Sequence, residues 1–190
     1  YRAMAEEGDS DAMQMLGIAY DEGDGVAEDD AGALRWVRAA ADLQNDNAIR
    51  SVALIYRLGR GVAADPVEAV RWFRRAIALG NPHAMTDLGR CYEFGAGVKL
   101  DLTEAVRWYR KGAEAGDPGG QRALGVMYGS GQGVSRDPTL SLRWFRQAAD
   151  AGNVDAYNDV GAAYEDGLGV TADAGQAVRW YRQGAGAGDP

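Results

Sequence analysis

The chain has 190 residues, 46% hydrophobic and 25% charged, which suits one sizeable domain or one elongated array. Its net charge of −8 argues against binding nucleic acid or an anionic membrane surface, and its one cysteine rules out an intrachain disulfide. No apolar run approaches the length that spans a bilayer, and the opening YRAMAEEGDS lacks the basic flank and apolar run of a secretory signal, so no membrane insertion is expected and the compartment stays open.

The five tryptophans, Trp36, Trp72, Trp108, Trp144 and Trp180, recur every 36 residues without drift. A fixed period of this length is the mark of stacked supersecondary units. Five units follow, at 8–43, 44–79, 80–115, 116–151 and 152–187. Residues 1–7 resemble the end of a preceding unit and 188–190 the start of another, so 1–190 reads as a single repeat array.

Each unit predicts two short helices. The first begins after Asp9, Asn45, Asn81, Asp117 or Asn153, whose side chains accept from the free N–H groups of a first helical turn. Apolar residues then recur at helical spacing, as in Ala12, Leu16, Ala19 and Tyr20. Gly23, Gly59, Gly95, Gly131 and Gly167 follow each tyrosine by three residues and end that helix. The second helix starts after Asp29, Asp65, Asp101, Asp137 or Asp173, and Gly80, Gly116, Gly152 and Gly188 end it, with Gln44 as the exception. The tryptophan is expected to fill the space between neighbouring units, and small residues at Ala33, Ala69, Ala105 and Ala177 allow close helix approach.

The shared pattern is A-x-x-x-L-G-x-x-Y-x-x-G-x-G-V-x-x-D-x-x-x-A-[VL]-R-W-[FYV]-R. It resembles the Sel-like (Sel-one) repeat, a helical-pair relative of the tetratricopeptide repeat. Departures are local: Ala53 stands for the LG glycine, Gly120 for the first alanine and Ser141 for the later alanine. The resemblance implies an all-α, right-handed α-solenoid (superhelix) of five 36-residue helix-turn-helix repeats. It also implies a concave face lined by the first helices, and a scaffold or adaptor that holds other proteins.

Motifs that carry chemistry are weak. DEGDGVAEDD (21–30) is acidic, but counting from Asp21 the third, fifth and twelfth positions are Gly23, Gly25 and Gly32, so calcium-loop ligand placement fails. The glycines of GSGQGV (129–134) follow a helix and recur in every unit, unlike a phosphate cradle, which follows a strand. His83 and Cys91 are the only residues of their kind and lie eight apart on one predicted helix, about 12 Å at ~1.5 Å per residue. That is too far for a nucleophile and its base. No metal site, cofactor or catalytic residue is expected. The arginines flanking each tryptophan, Arg35 and Arg38 through Arg179 and Arg182, read as the solvated face of the second helix.

Function is expected where the copies differ. By the resemblance, the groove positions include Arg50, Leu54, Arg57, His83, Thr86, Arg90, Phe94, Arg122, Val126 and Asn158. The unit at 8–43 carries two basic against nine acidic residues, net −7. The next four are +3, 0, +1 and −3, so the basic charge lies in the middle copies. Arginine forks suit carboxylates, so an acidic segment or a free C-terminus is the expected partner, with solvated surface as the alternative. A passive spacer within a longer protein, and more distantly an enzyme, remain as other readings. The Ala-, Arg- and Gly-heavy composition fits a GC-rich bacterial source.

Overall fold

A computed structural model describes residues 1–188, and all regular structure among them is helical. The helices are α1 (Arg2–Glu6), α2 (Ser10–Glu22), α3 (Asp30–Asp42), α4 (Asp46–Leu58), α5 (Pro66–Ala78), α6 (Pro82–Phe94), α7 (Leu102–Glu114), α8 (Pro118–Ser130), α9 (Pro138–Asp150), α10 (Val154–Asp166) and α11 (Ala174–Ala187). Two compact units form, residues 1–100 and 101–190, and the division falls between the two helices of the third copy. Of the tail expected to begin another copy, Gly188 follows α11 and the rest lies outside the described residues.

The capping residues behave as their chemistry requires. Asp9, Asn45, Asn81, Asp117 and Asn153 accept from backbone N–H groups two or three residues on, at 2.8–3.3 Å. Asp29, Asp65, Asp101, Asp137 and Asp173 do the same for the second helices at 2.9–3.0 Å. Two asparagines do more, because an amide also donates. Asn45 Nδ2 donates to Asp11 Oδ1 at 2.7 Å, and buried Asn81 donates to Asp46 Oδ2 at 2.8 Å. Each cap thereby ties its helix to the first helix of the preceding copy.

The paired loop glycines have separate duties. Gly23, Gly59, Gly95, Gly131 and Gly167 take φ of 69–76°, the left-handed conformation that closes the first helix. The second glycine sets how close neighbouring copies come. A Cβ on Gly97 would sit 2.0 Å from the Pro66 carbonyl oxygen, and one on Gly133 2.2 Å from that of Leu102. Both targets are the first residue of the preceding copy's second helix. After the second helix, Gly80, Gly116 and Gly152 take φ of 87–91°, whereas Gly188 caps α11 at φ −93°. Gln44 holds φ 63°, the one non-glycine residue with positive φ among those described.

The tryptophans sit between copies, but they are not the deepest residues. Trp36 packs on Ala5 and Leu16, and Trp180 on Ala148, Ala149 and Ala156. All five remain half-buried. Full burial goes to the next residue in Val37, Phe73 and Tyr109. In the first, fourth and fifth copies that side chain lies against the LG glycine of its own first helix. A Cβ on Gly125 would meet the Phe145 ring at 2.6 Å, and one on Gly161 the Tyr181 ring at 2.5 Å. Ala33, Ala69, Ala105 and Ala177 are buried as expected. Ser141, their equivalent, is buried too, and its hydroxyl donates to the Gly125 carbonyl at 2.7 Å.

Candidate functional site

The predicted binding residues fall into three groups. Arg50, Leu54 and Arg57 come together on α4, in one cleft. His83, Arg90 and Phe94 are exposed along α6, Phe94 to 71%. Arg122, Val126 and Asn158 lie in the second unit, with Val126 in a second cleft. Thr86 is buried instead, and its hydroxyl has no hydrogen-bond partner, so it offers no surface to a ligand.

Charge on this face is largely matched within the protein. Arg50 Nε donates to Asp87 Oδ2 at 2.6 Å, and Arg57 Nη1 lies 3.9 Å from Asp87 Oδ1. Asp87 is only 4% exposed. A buried carboxylate needs charged partners, and two guanidiniums from the preceding copy supply them. In the second unit Arg122 Nε donates to Asp159 Oδ2 at 2.6 Å, and its Nη1 lies 3.4 Å from Asp155 Oδ2. The two aspartates were not singled out in the sequence. Their signal is a shared spacing: each stands 37 residues after its arginine.

The first cleft has a volume of about 350 Å³ and lies between the first helices of the first two copies. Val37 and Ala33 line its base and Ile18, Leu54, Ile55 and Leu58 its walls. Asp21, Glu22, Arg57 and Arg60 bring charge to it. Arg60 donates to Asp21 Oδ2, while Asp21 Oδ1 is buried and accepts no hydrogen bond. The second cleft, about 240 Å³, lies in the second unit. Its Val126, Ser141, Phe145, Asp159, Ala162 and Leu168 are each 108 residues on from Ile18, Ala33, Val37, Ser51, Leu54 and Arg60 of the first.

The arginine stripe departs in part from its expected solvated role. Arg2, Arg38, Arg74 and Arg110 donate to the hydroxyls of Tyr20, Tyr56, Tyr92 and Tyr128 at 2.6–3.4 Å, and Arg146 donates to that of Tyr164. Each bond joins a second helix to the first helix of the next copy. Arg35, Arg143 and Arg179 are exposed, and Arg71 and Arg107 pair with Glu68 and Glu104 on their own helices, as a solvated face would. Cys91 is buried, and that burial raises its thiol pKa to about 11, which keeps it protonated and unreactive near neutrality. Among the described residues no three His, Cys, Asp or Glu side chains converge to hold a metal, and no helix is long and apolar enough to cross a membrane.

Comparison with known proteins agrees with this architecture. The Sel1 repeat profile matches residues 10–45, 47–81, 82–117, 118–153 and 154–189. The chain is similar to a Sel1 repeat protein from Oxalobacter formigenes, with 34% identity and a TM-score of 0.86, over 96% of this chain and 74% of that one. It is also similar to a protective antigen of uropathogenic Escherichia coli strains that displays an SLR fold, with 38% identity and a TM-score of 0.82. That match covers 99% of this chain and 40% of the antigen. An immunity protein from Pseudomonas aeruginosa shares the fold at 20% identity, with a TM-score of 0.73 over 96% of this chain and 70% of that one. No curated protein matches the sequence.

Proposed function

Because the chain belongs to the Sel1 repeat family, whose repeats are in general protein–protein interaction modules, we propose that it is a scaffold or adaptor that binds a peptide or protein segment on the faces of its first helices. One observation carries this reading. Where the copies are alike, the residues hold the stack: caps, loop glycines and the arginine–tyrosine links. Where the copies differ on the first helices, large apolar side chains stand in solvent: Leu58 is 55% exposed, Phe94 71% and Val126 43%. Exposed apolar groups beside a cleft, rimmed by charge, are what a partner segment covers.

An acidic segment or free C-terminus keeps Arg90, exposed on α6 one turn before Phe94, as its support. Arg50, Arg57 and Arg122 already carry carboxylates and lend it less. The buried, protonated Cys91 supports a role without catalysis. A bacterial origin is in keeping with the bacterial sources of the similar structures. The second reading is a spacer within a longer protein, favoured by the match to less than half of the E. coli antigen.

Short random peptides displayed against the immobilised chain test the proposal. Peptides that survive selection are expected to lose affinity roughly tenfold or more for the Leu58→Asp/Phe94→Asp variant, with helical circular dichroism unchanged. A chain that selects no peptide is a spacer, and the adaptor reading then fails.

A further inference from the structure

The residue after each tryptophan is Val37, Phe73, Tyr109, Phe145 and Tyr181 in the five copies. Only the first copy lacks a ring. The space over Gly17 is taken by Val37 itself, whose Cγ1 would lie 2.6 Å from a Cβ there, as the Phe145 ring would from one on Gly125. The cleft over Val37 is the larger of the two equivalents, about 350 against about 240 Å³. Its walls are aliphatic, and Leu58 at its mouth is more than half exposed.

The charge around it has a sign. Arg50 and Arg57 are held by Asp87, and Arg60 holds one oxygen of Asp21. The other oxygen, Asp21 Oδ1, is buried with no donor, and Glu22 beside it is exposed. Leaving a buried acceptor unmet is costly, so the site favours an occupant that brings a donor. The two copies that enclose the cleft, 8–43 and 44–79, carry −7 and +3, so together they remain acidic at −4. Long-range attraction therefore favours a cation.

Resting on the adaptor reading above, we propose that this cleft takes an aromatic side chain from a partner segment whose adjacent residue is lysine or arginine. The ring packs on Val37, Leu54 and Ile18, which line the cleft. The neighbouring cation lies against Asp21 and Glu22. The partner brings to the first copy the ring that its own sequence omits.

Val37→Phe is the direct test, because the other copies show that the fold accepts a ring there. The probe is the tightest peptide from the display selection, labelled and followed by fluorescence anisotropy. Selected peptides are expected to share an aromatic residue next to lysine or arginine. Val37→Phe is expected to weaken the probe roughly tenfold or more while the unfolding midpoint stays equal or rises. Asp21→Asn is expected to weaken it less, about threefold, and to reduce its salt dependence. Selected peptides that bind Val37→Phe as well as the parent chain overturn this inference but leave the adaptor reading standing. So does an acidic consensus. Self-association that Val37→Phe abolishes, with no peptide selected, makes a second copy the occupant and also overturns it. Selection of nothing, without self-association, removes both readings.

Discussion

The two clefts are the same place built twice, 108 residues apart, and they differ in what fills them. In the second unit Phe145 lines the base and Leu168 stands at the rim, with Arg136 and Asp159 as the charged residues of the lining. In the first unit the buried Val37 stands in place of that ring, and Asp21, Arg57 and Arg60 bring charge to the rim. Helix caps and loop glycines are shared, so the contrast lies mainly in the side chains that line the clefts. A repeat protein can thus keep its scaffold by repetition while single side chains change the cleft between two copies. The buried ion pairs repeat the contrast in milder form. Asp87 is nearly sealed beneath Arg50 and Arg57, whereas Asp159 under Arg122 is about a quarter exposed.

Opening the second cleft should have the largest effect. Phe145→Ala is expected to cost about 3 kcal/mol in urea unfolding, the low end for a large aromatic because the ring is half-buried. A cost within experimental error would mean that the ring does not support the second unit. Next, Gly125→Ala is expected to cost about 2 kcal/mol, since its Cβ would lie 2.6 Å from that ring. Combined with Phe145→Ala, which removes the ring, the alanine should cost clearly less. Strict additivity of the two changes would contradict the ring-over-glycine packing.

Removing the aspartates should separate the units. Asp87→Ala is expected to cost about 1.5 kcal/mol, because two half-buried guanidiniums lose their carboxylate. Asp159→Ala, at a more exposed pair, is expected to cost about half as much. Equal costs would show that burial does not set the strength of these pairs. The smallest change is a gain. Gln44 holds a left-handed backbone where its equivalent in the second unit, Gly152, holds one at no steric cost. Gln44→Gly should stabilise by about 0.5–1 kcal/mol in the same assay, and a loss would show that the Gln44 side chain makes a needed contact.

Most of the fold was legible in the chain because its signals are local. A capping aspartate acts on an amide three residues away, and a helix-ending glycine acts on its own φ angle. Both can be read one copy at a time, and the period shows which positions are structural. The candidate site was legible only in part. The candidate face was read from first-helix positions that vary, and of its residues Arg50, Leu54 and Arg57 share a cleft. Thr86 is buried, and the arginines read as free forks are mostly engaged. The reason is that these contacts join residues about one repeat apart. Arg50 meets Asp87 only because neighbouring hairpins stack at one particular offset. The arginine–tyrosine links were hidden for the same reason: nothing local to Arg38 points to Tyr56.

The sequence by itself determined the repeat, the ends of its helices, the small residues where helices touch, and the acidic bias of the first copy. These follow from short-range chemistry that any helix obeys. Only the tertiary structure decided which residue is deepest, which charges are neutralised and where space is left. Val37 is a conservative apolar residue in the sequence. That it packs over Gly17 in the place a ring holds over Gly125 shows only in the folded chain. Burial and unfilled volume belong to the packed arrangement of several copies, and no single stretch of chain contains them.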